Sequence, residues 1–107
     1  MQQSVDEVVN LLRDESAEKR LQGALACYSS PPIEMQEPLA KALACEEDVK
    51  VRATLLKALA FVGDGAAIPI ILEYFDDPDN RVRANAVEAL GQYKDPKLIK
   101  HFKMMFN

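Results

Sequence analysis

Residues 48–76 of the chain, moved forward by 31 positions, fall on residues of the same kind. Asp48 lands on Asp79, Val51 on Val82, Arg52 on Arg83, Ala53 on Ala84, Ala58 and Leu59 on Ala89 and Leu90, Asp64 on Asp95, Ile68 on Ile99 and Ile71 on Phe102. A self-match of this length marks a unit of one supersecondary element, which cannot bury its own apolar face and needs a neighbouring copy stacked on it. The repeat therefore decides architecture first, and leaves function to the surface that the stack presents.

Start and stop signals divide the chain into seven helical segments. Ser4 with Glu7 forms a capping box ahead of Val5–Arg13, and Ser16 can cap a second helix from Ala17 to about Tyr28. Prolines 31 and 32 close that helix, because proline lacks the amide donor that a helix interior needs. A third helix is expected from about Ile33 to Cys45, with Pro38 either kinking it or delaying its regular start. The fourth, Val49–Val62, follows Asp48 and stops at Gly63, expected in the left-handed conformation that ends many helices. Asp64 and Gly65 open a fifth, Ala66–Phe75, and Asp79 caps a sixth, Asn80–Tyr93. Asp95 and Pro96 open a last one bearing Leu98, Ile99, Phe102, Met105 and Phe106. Loops this short force consecutive helices to be antiparallel neighbours. No segment shows the two-residue alternation of a half-buried strand.

The composition fits one domain with an apolar core, at 49% hydrophobic and 28% charged residues. No apolar run approaches the ~20 residues of a membrane span, and the polar, acidic N-terminus is unlike a secretory signal. The expected location is the cytoplasm, with Cys27 and Cys45 as reduced core thiols. Charge is uneven: residues 1–79 carry a net of −8 and residues 80–107 a net of +4. Solvated helix faces account for this, and a basic end docking on an acidic surface of another copy is the sharper alternative.

A more divergent first copy aligns through arginine: Arg20, Arg52 and Arg83 each follow an acid by six residues, Asp14, Glu46 and Asp77. Pro38 and Pro69 stand fourteen residues before the last two arginines. A proline in the first helix, an acid in the turn, then Val-Arg and an Ala/Leu-rich second helix together resemble the HEAT-repeat family, and in particular its short phycobilisome-lyase type. The resemblance spans about Val5 to Phe106 and implies an all-α, right-handed α-solenoid of about seven helices. As one domain over 1–107, it would hold repeats at approximately 4–28, 32–62 and 65–93 and a half repeat at 95–107. The first copy departs from the pattern, with Asp6 in place of proline and Lys19 in place of Val51 and Val82, as a terminal cap facing water requires. The resemblance also implies a ladder in which each guanidinium bridges the turn carboxylates of its own unit and the next. Arginine suits this because its planar fork can serve two acceptors.

Searches for chemistry return little. His101 is the one histidine, no phosphate-cradling glycine motif occurs, and metal sites need several convergent ligands. The HEAT-like di-iron hydroxylases use repeated His-Glu pairs, which are lacking here. The expectation is a non-catalytic chain without cofactor or metal. Nucleic acid is disfavoured because the second helices mix Lys50, Lys57 and Arg81 with Glu18 and Glu88, and phosphate binding needs one sign. Lys94, Lys97, Lys100 and Lys103 read first as a solvated stripe.

What remains is a surface for another protein or peptide. Repeat register points Gln22, Thr54 and Asn85 away from the core in one row, Leu25, Lys57 and Glu88 in the next, and Phe61 and Gln92 at the edge. These rows vary between repeats, whereas Val51, Leu56, Leu59, Val82, Val87 and Leu90 are expected in the core. Self-association through the last helix is a second expectation. A bilin-lyase-like accessory acting on a chromophore or a chromophorylated protein is the alternative function, implied by the resemblance alone.

Overall fold

A computed structural model describes residues 4–29, 34–63 and 65–92. They form six α-helices: α1 (Val5–Leu12), α2 (Ala17–Ser29), α3 (Gln36–Cys45), α4 (Val49–Val62), α5 (Ile68–Glu73) and α6 (Asn80–Leu90). No strand occurs among the described residues. Consecutive helices pair as the hairpins α1–α2, α3–α4 and α5–α6, and the second helices α2, α4 and α6 pack side by side in that order. The first helices α1 and α3 meet far less. A stack that is tight along its second helices and open along its first helices curves with the second helices inside.

The polar starts behave as the sequence indicates. Ser4 accepts from the Glu7 amide at 3.2 Å, Asp48 from the Val51 amide at 3.1 Å and Asp79 from the Arg81 amide at 2.8 Å. Ser16 accepts from the Lys19 amide at 3.4 Å. The Arg81 side chain and amide hold the Asp79 carboxyl below its usual range.

Several boundaries differ, each for a local reason. Helix α3 begins at Gln36, so Pro38 falls in its first turn, where a missing amide costs no ladder bond. Pro38 thus delays the helix and does not kink it. The approach to α3 runs through Glu34 at φ 74°, a left-handed conformation that a side chain resists. Gly63 is extended (φ −79°, ψ 162°) and not left-handed. It is needed for space: a Cβ there would lie 2.5 Å from the Leu59 carbonyl oxygen and 2.9 Å from the Ala67 methyl. The fifth segment is broken into a 3₁₀ turn (Gly65–Ala67), α5, and a second 3₁₀ turn (Tyr74–Asp76). Helix α6 stops at Leu90, short of Tyr93. The segment expected to form a seventh helix, with His101, Tyr93, the lysine stripe and the expected Asp64 cap, lies outside the described residues.

The core runs through every hairpin: Val8, Leu12, Met35, Leu39, Leu43, Val51, Leu55, Leu56, Leu59, Ile71, Val82 and Leu90 are buried. Val87 is only half-buried, and Leu55 and Ala86 complete the sealed faces of α4 and α6. Tyr74 ties the third hairpin to the second, its hydroxyl donating to the Leu43 carbonyl at 3.3 Å. Cys27 is in the core, where burial pushes its thiol from 9.0 up to about 11. Cys45, expected there too, is exposed at the end of α3.

Candidate functional site: the ladder and the second-helix face

The acids and arginines meet in a directional ladder. Arg20 reaches forward to Glu46, its Nε donating to Oε2 at 2.8 Å and its Nη2 to Oε1 at 3.1 Å. Arg52 repeats the move one unit on, Nη1 donating to both oxygens of Asp77 at 2.8 and 3.0 Å. Toward its own unit each guanidinium meets backbone and not carboxylate, which corrects the expected bridge. Arg20 donates to the carbonyls of Asp14 and Glu15, Arg52 to those of Glu46 and Glu47, and Arg83 to those of Asp77 and Pro78. The turn leaves these carbonyls without helical partners, and a guanidinium has enough donors to serve both them and the next acid.

Each acid has a second task that spacing did not reveal. Asp14 accepts from the Ser16 amide at 2.8 Å, Glu46 from the Asp48 amide at 3.1 Å and Asp77 from the Asp79 amide at 2.9 Å. The carboxylate thus fixes its own turn while receiving the preceding arginine. Glu46 and Asp77 are buried, with side chains 3% and 5% exposed. Among the described residues the pattern stops at the ends: Asp14 receives no arginine and Arg83 holds no carboxylate. Arg20 with Glu46 and Arg52 with Asp77 hold one hairpin against the next, while the bonds given for Asp14 and Arg83 stay within their own turns.

The second helices present the rest. Gln22, Lys57, Glu88 and Gln92 are exposed, Gln92 in the turn that follows α6. Thr54 and Asn85 are half-buried and turned back on their own helices, Thr54 Oγ1 donating to the Lys50 carbonyl at 2.9 Å and Asn85 Nδ2 to the Arg81 carbonyl at 2.8 Å. Their row therefore offers fewer free groups than its position implied. Asn85 Oδ1 is buried with no hydrogen-bond partner among the described residues.

Apolar exposure is concentrated in one place. Leu25, Tyr28 and Phe61 are 46%, 43% and 51% exposed, and they are the exposed large hydrophobic residues among those described. Leu25 and Tyr28 stand three apart on α2 and so share a face. The rings of Tyr28 and Phe61 meet at 5.3 Å with a 46° tilt, joining α2 to α4. Sequence register missed Tyr28, although a signal was there: its equivalents in later repeats are Ala60 and Gly91, so a large ring stands where the pattern wants a small residue.

On the opposite side, a groove between α1 and α3 is floored by Val5, Val9, Leu12, Met35 and Ala42 and ends at the Arg20–Glu46 rung. It follows from the splay of the first helices, which periodicity along one helix cannot show. Among the described residues no group of three His, Cys, Asp or Glu side chains could hold a metal ion. Nor is any described helix long and apolar enough to cross a membrane.

No curated protein matches the chain. The profile of HEAT repeats matches residues 36–107, about two-thirds of its length. Stacked antiparallel hairpins, an acid and an arginine passed from unit to unit, and this match together make the chain a member of the HEAT-repeat family, built as a short α-solenoid.

Proposed function

We propose that the chain is a non-catalytic interaction module whose second-helix face binds a segment of another protein, anchored on Leu25, Tyr28 and Phe61. The observation that carries this reading is the convergence of the exposed large apolar side chains on one corner of that face. Scattered apolar residues are ordinary on a surface, whereas adjoining aromatic ones are the usual anchors of binding. HEAT repeats generally serve as protein-interaction scaffolds, and solenoids use their curved inner surface for this purpose.

Size narrows the partner. Three helices of ~18 Å set ~10 Å apart offer about 500 Å², below the ~800 Å² that each side of a standard interface contributes. A peptide or a single protruding element fits such a face better than a globular surface does. The test is affinity capture from the source cell with the wild type and with Tyr28→Ser/Phe61→Ser. The double variant, shown to be folded by circular dichroism, should lose the proteins that the wild type retains. Unchanged capture refutes the assignment.

A further inference from the structure

We infer that the segment bound by this face is an acidic peptide with an apolar anchor at one end. The inference rests on the interaction reading above and adds the chemistry of the partner. Lys50, Thr54, Lys57 and Phe61 recur at helical spacing, and so form one stripe down α4, the middle of the three second helices. Both lysines are exposed, and neither enters an ion pair among the described residues. Thr54 between them has donated its hydroxyl to the Lys50 carbonyl. The centre of the face is thus two unpaired ammonium groups leading to an aromatic corner.

The flanking charges leave that stripe intact. In the row of Lys50, Arg81 is held by Asp79 at 3.3 Å, and Glu18 stands on α2. In the row of Lys57, Glu88 stands on α6. Glu18 and Glu88 are each one helix away from the stripe, roughly 10 Å, and make no ion pair with it. They repel an acidic ligand from either edge and so confine its carboxylates to the middle.

Spacing then specifies the ligand. Lys50 and Lys57 are seven residues apart, about 10 Å along the axis, and Phe61 lies about 6 Å beyond. An extended chain rises about 3.3 Å per residue, so two acids three positions apart reach the two lysines. An aromatic or aliphatic side chain two positions further reaches Tyr28 and Phe61. The recognised pattern is acid-x-x-acid-x-apolar, in either chain direction.

The experiment is selection of a displayed library of random 12-residue peptides on the wild-type protein, followed by binding measurements on the enriched peptides. Enrichment of that pattern supports the inference. So does an affinity that falls about 2- to 5-fold with Lys57→Gln or Lys50→Gln, weakens with salt, and falls about tenfold or more with Phe61→Ser. Enriched peptides with no excess of acids, sensitive to Phe61→Ser but indifferent to both lysine variants, overturn the inference and leave the interaction surface standing. Peptides indifferent to Phe61→Ser, or no enrichment on the folded protein, overturn both.

Discussion

Replacing the ladder arginine at two successive positions separates what the carboxylate contributes from what the turn carbonyls contribute. Arg52→Met keeps most of the stem but removes every donor. Among the described residues Asp77, whose side chain is 5% exposed, then keeps only the Asp79 amide at 2.9 Å, and the carbonyls of Glu46 and Glu47 lose this donor. Breaking a buried ion pair costs about 3–5 kcal/mol. The Arg52 side chain is 17% exposed, so water can replace part of what is lost, and about 2–4 kcal/mol is expected. Arg83 makes the same carbonyl bonds, at 2.7 and 3.2 Å, and among the described residues holds no carboxylate. Arg83→Met should cost about 1 kcal/mol, the net worth of the part-buried bond to the Asp77 carbonyl, since the bond to Pro78 is exposed and water replaces it.

The assay is equilibrium unfolding in urea followed by circular dichroism. With a slope of about 1–2 kcal/mol per molar, Arg52→Met should lower the midpoint by about 1–4 M and Arg83→Met by about 1 M or less. Adding Asp77→Asn to Arg52→Met should cost less than the sum of the two single changes, because the buried charge left without its partner is removed with it. Equal losses at Arg52 and Arg83 would refute the reasoning, since the energy would then lie in the shared carbonyl bonds.

Gly63→Ala should destabilise by about 1–3 kcal/mol, since the new Cβ meets the Leu59 carbonyl and the Ala67 methyl. Gly65→Ala, with nothing within 4 Å of the added methyl, should be neutral or stabilising by about 0.4–1 kcal/mol; thermal melts of the pair test both. Glu34→Gly should raise stability by about 1 kcal/mol by relieving the φ of 74°, which the same melts read. Thiol titration should find Cys45 reacting quickly and Cys27 only on unfolding. Because burial raises the Cys27 pKa from 9.0 to about 11, its contribution to stability is complete below pH 9 and is lost as pH rises toward 11. A Cys27→Ala variant that shows the same alkaline loss would remove this cause.

Much of the fold was legible because stacking writes itself into sequence as repetition. The limits of α4 came out to the residue, since Asp48 starts the helix and the apolar pattern ends at Val62. Other ends misled where a neighbour decides them. Gly63 reads as a left-handed stop, yet its role is to let α5's approach pass close to the end of α4. Val87 repeats a core position but is half-buried, because α6 has one described second helix beside it where α4 has two. The exposed apolar corner proposed as the site was legible in part. Leu25 and Phe61 could be named from register, but Tyr28 joins them only through a ring contact between helices.

By itself the sequence determined the hairpin unit, its length, the caps that start its helices and the presence of an acid and an arginine in each copy. These are local or periodic properties, carried by spacing along one chain. Tertiary structure alone decided where the arginine reaches: backward to carbonyls of its own turn, and forward to a carboxylate some 25 residues on for Arg52. It decided too that Thr54 and Asn85 turn inward while Leu25, Tyr28 and Phe61 gather at one corner. The physical reason is that direction, pairing and exposure are set by the distance and tilt between neighbouring helices, which each copy acquires only when the next is packed against it.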